Sequence, residues 1–145
     1  MKSLLLILVL CISAGAFAQD VRVTHGVPAV VEKNFKKKFP TAKEVDWARK
    51  GDRMEADFDV SRVDHKALYD QKGKLLAWKC DVRTGQLPAP VLKTIRSQYK
   101  GYKVDDAEKV TRDKMELYQV ELDGNPDVSL VFDKDGKVVE DADWW

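Results

Sequence analysis

The 145 residues carry 25 Lys and Arg against 24 Asp and Glu, with 44% hydrophobic residues, five prolines and eight glycines. That is the composition of a folded domain, and a formal net charge of +1 argues against general affinity for nucleic acid or for an anionic membrane, which need a basic surplus. Partners of such a chain must be recognised locally.

Residues 1–18 read as a signal peptide. Lys2 supplies the positive start, Leu4 to Ile12 the apolar stretch, and Ala16-Phe17-Ala18 the small-x-small cleavage site. The apolar stretch is shorter than the roughly 20 residues of a membrane span. Leu10 before Cys11 lacks the small side chain of a lipid-attachment signal. The expectation is an exported protein, periplasmic or secreted, with no membrane insertion after cleavage. Removing the leader removes Lys2 and Cys11, which leaves 24 basic and 24 acidic residues and Cys80 as the single cysteine, so no internal disulfide is expected.

Residues 19–26 read as a polar lead-in without regular structure. From Val27 the apolar residues recur every four positions, Val27, Val31, Phe35 and Phe39, between Pro28 and Pro40, predicting a first helix with a basic outer face of Lys33, Lys36, Lys37 and Lys38. Period-two strands follow. Val45 and Trp47 alternate with Glu44, Asp46 and Ala48, and beyond the Lys50-Gly51-Asp52 turn Met54, Ala56, Phe58 and Val60 alternate with Glu55, Asp57 and Asp59. A third strand near His65 to Tyr69 and a fourth near Lys74 to Val82 flank a turn at Asp70 to Gly73, with Cys80 on the core side.

That turn occurs twice. Tyr69-Asp70-Gln71-Lys72-Gly73-Lys74-Leu75-Leu76 is matched 63 positions later by Phe132-Asp133-Lys134-Asp135-Gly136-Lys137-Val138-Val139. Each has an aromatic strand end, an Asp able to cap backbone N–H groups and a Gly where φ must be positive. Leu87-Pro88-Ala89 likewise repeats Val27-Pro28-Ala29, and Leu87, Val91, Ile95 and Tyr99 repeat the first helix's stripe. The chain is therefore expected to be a duplication, 27–83 and 84–145, within one folded domain spanning 27–145. Two places match poorly. Asp105 to Thr111 lacks clear alternation, and Asp141 and Asp143 stand where the first copy has Trp78 and Cys80, so a bulge or an early strand end is expected there.

On Val27-Pro28, Phe39-Pro40, Trp47, Leu87-Pro88, Tyr99 and the two Asp-x-x-Gly-Lys turns, the chain resembles the PepSY-like proteins exported by Bacteroidota, a group also compared with the beta-lactamase inhibitor protein fold. The resemblance implies a tandem repeat of one helix and four antiparallel strands, no established catalysis, and roles in inhibiting or holding other proteins. The fold expected is α+β: two α-β-β-β-β units forming antiparallel sheet with both helices on one face.

Chemistry-bearing motifs are scarce. His65 and Cys80 make the only conceivable nucleophilic dyad, and a buried thiol without a cationic neighbour is inert. The Asp133 to Gly136 run fails the EF-hand template, with Val131 and Ala142 where ligands would stand. No enzyme activity, cofactor or metal is expected. The remaining candidate is a face formed by Glu44, Asp46, Glu55, Asp57 and Asp59, which alternation places opposite the helices and which would bind a basic partner or, as an alternative, a divalent cation. Against it stands the simpler reading, the solvated side of a one-sided sheet. The function expected is a protein-binding or inhibitor-like module of unknown partner. The alternative is a structural or envelope-stress protein that assembles with itself.

Overall fold

The computed structural model describes residues 21–22, 26–140 and 145; the expected signal peptide lies outside them. Eight strands run in chain order across one antiparallel sheet, each hydrogen-bonded to the next. They are β1 (Val21–Arg22), β2 (Lys43–Lys50), β3 (Arg53–Val60), β4 (Val63–Asp70), β5 (Leu75–Asp81), β6 (Lys103–Arg112), β7 (Met115–Asp123) and β8 (Val128–Asp133). Helix α1 (Ala29–Lys38) precedes β2, and α2 (Ala89–Gln98) precedes β6 after a 3-10 turn at Thr84–Gln86.

Both helices lie on one face, as their apolar stripes require. Val31 and Phe35 of α1 are buried against Met54, Ala56 and Phe58 of β3 and Ala67 and Tyr69 of β4. Val91 and Ile95 of α2 are buried against Ala107, Tyr118, Val120, Leu122 and Phe132. The first cluster is aromatic: the Phe35 ring meets Phe58 edge-on at 4.8 Å and Trp47 at 5.2 Å, and Phe39 lies 4.7 Å from Phe58. Such pairs add about 0.5–1.5 kcal/mol each beyond area burial. The two units are not separate sheets. β5 pairs with β6 from Ala77↔Arg112 to Asp81↔Glu108, so the ladder is continuous across the joint.

The duplicated turns are equivalent in detail. Asp70 Oδ1 accepts from the backbone N–H groups of Lys72 (2.9 Å) and Lys74 (2.8 Å), and Asp133 Oδ1 accepts from those of Asp135 and Lys137 (both 2.9 Å). Gly73 and Gly136 have φ of 82° and 80°. Each turn then docks on its own helix: Asn34 Nδ2 donates to the Gly73 carbonyl, and Thr94 Oγ1 to that of Gly136, both at 2.8 Å. The glycines are thus demanded twice, by φ and by contact. A Cβ on Gly73 would stand 2.8 Å from the Asn34 amide nitrogen, and one on Gly136 only 2.5 Å from the Pro90 carbonyl oxygen.

One expectation changes and two are refined. The lead-in is not wholly irregular, because Val21–Arg22 pairs with β2 at the sheet edge. The second unit ends early, as its polar sequence suggested: its return strand shrinks to a bridge between Phe132 and Val138, followed by a Val139 N–H to Val131 carbonyl bond. Asp141 and Asp143 lie outside the described residues. Finally, the loose patterning of β6 is not irregularity alone. A bulge falls between Val104 and Asp106, and beyond it Ala107 and Val110 are both buried, on opposite faces.

Candidate interaction face

Period-two geometry assigns every strand residue to the helix side or to the opposite face, because residues paired across strands share a face. On the helix-free face Asp46 pairs with Asp57, Ala48 with Glu55, and Lys43 with Asp59, so alternation placed Asp46, Glu55, Asp57 and Asp59 correctly. Glu44 sits in a bulge with φ of 53°, close enough to Asp59 to act on its charge. The five do not behave alike. Glu44, Asp46 and Asp57 are exposed, whereas Glu55 is only 6% exposed. Its carboxylate lies 3.0 Å from Lys50 Nζ and accepts the indole N–H of Trp145. Glu55 is therefore a satisfied internal group, contrary to the expectation of an exposed acid, and Asp57 is partnered at 3.3 Å by Lys66.

Two acids missed by sequence reading complete the cluster. Asp64 of β4 stands directly opposite Asp59. A side-chain hydrogen bond between them, with added repulsion from Glu44 and Asp57, holds the Asp59 carboxyl above its ordinary value. Farther along the same row Asp81 is also raised, first by burial and then by Asp106, Asp64 and Glu108. The acidic row thus crosses from β3 to β6 at one end of the sheet. The signal for Asp64 lay in the tight β3–β4 turn at Ser61-Arg62, both residues with positive φ, which sets the register. Neither residue is Gly or Asn, so the turn was not recognisable.

The centre of this face is partly apolar. Leu68, Ala77, Val110 and Leu117 are each 1–4% exposed, yet they point away from the helices and join neither helix-side cluster. Lys79 bonds Glu108 at 2.8 Å beside them, and its ammonium lies 5.2 Å from the centre of the Trp145 ring. The sheet is accordingly two-sided at its centre, which corrects the one-sided reading. Consecutive apolar residues, Ala67-Leu68-Tyr69 and Leu117-Tyr118, were the available signal, since strands buried on both faces lose alternation.

The two residues considered as a dyad do face each other: His65 and Cys80 are cross-strand partners on the helix side. His65 stacks between Phe58 and Trp78 and donates from Nδ1 to the Val63 carbonyl at 2.8 Å. Cys80 is half-buried rather than fully buried, and desolvation raises its pKa against the opposing effect of Lys109. A thiol so raised is a poor nucleophile at neutral pH.

The whole arrangement has known relatives. The family described as "Putative beta-lactamase-inhibitor-like, PepSY-like" matches twice, over residues 18–77 and 77–140. The chain belongs to this PepSY-like family. Its two family matches meet at Ala77, inside β5. Solved structures share the fold. A DUF2874 family protein from Bacteroides uniformis is 23% identical with a TM-score of 0.74, covering 79% of this chain and 88% of its own. A BLIP-like protein from Bacteroides fragilis is 21% identical with a TM-score of 0.70, covering 81% and 86%. One of the "putative periplasmic proteins" of Bacteroides eggerthii is 18% identical with a TM-score of 0.74, covering 80% and 88%. No curated protein matches significantly.

Proposed function

We propose that this PepSY-like protein is an exported, non-catalytic module that binds another protein through the helix-free face of its sheet, in the manner of an inhibitor or holder. The carrying observation is that carboxylates on this face oppose each other directly, Asp46 against Asp57 and Asp59 against Asp64. Like charges in cross-strand register oppose folding, and a basic partner would relieve that repulsion and be steered to the face at low salt. The family description, which is inhibitor-like, supports the same reading, as does the periplasmic description of one structural relative. Export rests on the leader sequence.

The test is affinity capture from the source organism's envelope fraction with the parent and an Asp46→Lys, Asp59→Lys variant. Each new ammonium faces a carboxylate, Asp57 or Asp64, so the variant is expected to remain folded. The parent should retain partners that the variant loses, most clearly at low salt. Identical partners with identical salt dependence would remove the acidic row from the binding site.

A further inference from the structure

The centre of the helix-free face poses a separate question. Glu55 is the charged side chain buried among the described residues, and burying a carboxylate is costly unless its lone pairs are satisfied. Lys50 supplies one partner and the Trp145 indole N–H the other. The same indole ring receives the Lys79 ammonium at 5.2 Å, within cation–π range. Glu55 and Lys79 sit on strands two apart. Between them in the sheet lattice lie Leu68, opposite Glu55, and Ala77, opposite Leu68, each 2% exposed. An acceptor at one end, a cation for the ring face and an apolar floor between are three features that an indole uses together: a ring N–H donor, an electron-rich face and a large apolar body.

We propose that Glu55, Lys79, Leu68 and Ala77 form a recognition subsite for a tryptophan side chain, with Trp145 as its resident occupant. A partner docking on this face then does so by placing a tryptophan of its own where Trp145 lies. The second statement rests on the protein-binding reading given above; the subsite itself does not. Trp145 acts as an intramolecular competitor, because a tethered group competes at an effective concentration of about millimolar. Phenylalanine would leave Glu55 without its second donor, and so the subsite discriminates by the ring N–H as well as by size.

The experiment uses the whole chain with Trp145→Ala, and N-acetyl-tryptophanamide as the probe, followed by amide chemical shifts in NMR. The probe should bind saturably at millimolar concentration, moving the Leu68, Ala77 and Lys79 amides. N-acetyl-phenylalaninamide should bind about tenfold more weakly, the size expected for loss of a hydrogen bond to a charged group, and the probe should bind about fivefold more weakly to a chain that also carries Glu55→Gln, whose amide oxygen accepts without the charge. The parent should bind the probe about twofold more weakly than Trp145→Ala, because an occupant tethered at about millimolar effective concentration competes with a probe of about millimolar affinity. Equal binding to parent and variant, shifts elsewhere, or no preference for indole would overturn the subsite. Should Trp145→Ala fail to fold, the parent still decides. Its Trp145 indole N–H, assigned with Trp145→Phe, should exchange about fivefold faster with solvent in Glu55→Gln, where the acceptor has lost its charge, and an unchanged rate would overturn the proposal. If the probe binds as expected while Trp145→Ala captures no more envelope protein than the parent, the subsite stands and the docking role fails.

Discussion

At the scale of single residues, the two halves of the duplication test each other. Tyr69 and Phe132 occupy the same place before the repeated turn, and both are buried. Only Tyr69 carries a hydroxyl there, and that oxygen has no hydrogen-bond partner among the described residues; desolvation pushes its pKa up to about 12. Removing an orphaned buried hydroxyl without changing the ring should stabilise, so Tyr69→Phe is expected to gain about 1 kcal/mol in urea unfolding. The second copy already holds that solution. The glycines give the opposite contrast. Gly73→Ala should cost about 1–3 kcal/mol through left-handed strain, because its new Cβ meets the end of Asn34, which can turn aside, and lies no nearer than 3.0 Å to the Val30 backbone. Gly136→Ala should cost more, because the obstacle is the Pro90 backbone, while Lys72→Ala should change stability by less than about 0.5 kcal/mol. Equal effects at the three positions in the same unfolding assay would contradict the docking geometry.

Elements show what a periodic pattern can and cannot reveal. Both helices were legible because a four-residue stripe bounded by prolines or glycine has one structural meaning, and their buried residues, Val31, Phe35, Val91 and Ile95, are those of the stripe. The first strands were legible for the same reason at period two. The centre of the sheet was not, since Leu68, Val110 and Leu117 are covered on the face without helices and alternation there carries no contrast. The candidate acids show the same limit: alternation gives a residue's face but not its cross-strand neighbour, so Glu55 looked exposed and Asp64 was overlooked. That neighbour has a measurable consequence. Asp59 keeps its proton more readily when folded, through Asp64, than at the ordinary carboxyl value of 3.8. Below 3.8 this contribution to stability is fully present, and it is lost as the pH rises through the higher folded-state value. Thermal unfolding of the parent should therefore fall behind that of Asp59→Asn as pH increases from 3.8, and the gap should close on acidification. A constant difference across that range would mean that the pair does not share a proton.

On the scale of the whole molecule, the joint between β5 and β6 decides whether the duplication is two domains in contact or one folding unit. Each unit buries one helix against three or four strands, a modest core for about sixty residues. The sheet, however, does not stop at the boundary. Cutting after Arg83 would strip β5 of its partner from Ala77 to Asp81, leaving a row of unpaired backbone groups at a new edge beside Ala77, which is buried in the intact protein. The helix-free face would suffer too, because Val110 and Leu117 come from the second unit while Leu68 and Ala77 come from the first, and Lys79 bonds Glu108 across the cut. Residues 19–83 alone are thus expected to lack a cooperative thermal transition. Mixing them with residues 84–145 should restore one, because complementation re-forms both the ladder and the apolar centre. A first unit that melts cooperatively as a monomer would show that the helix-side core suffices, and that the continuous sheet was added to units already stable by themselves.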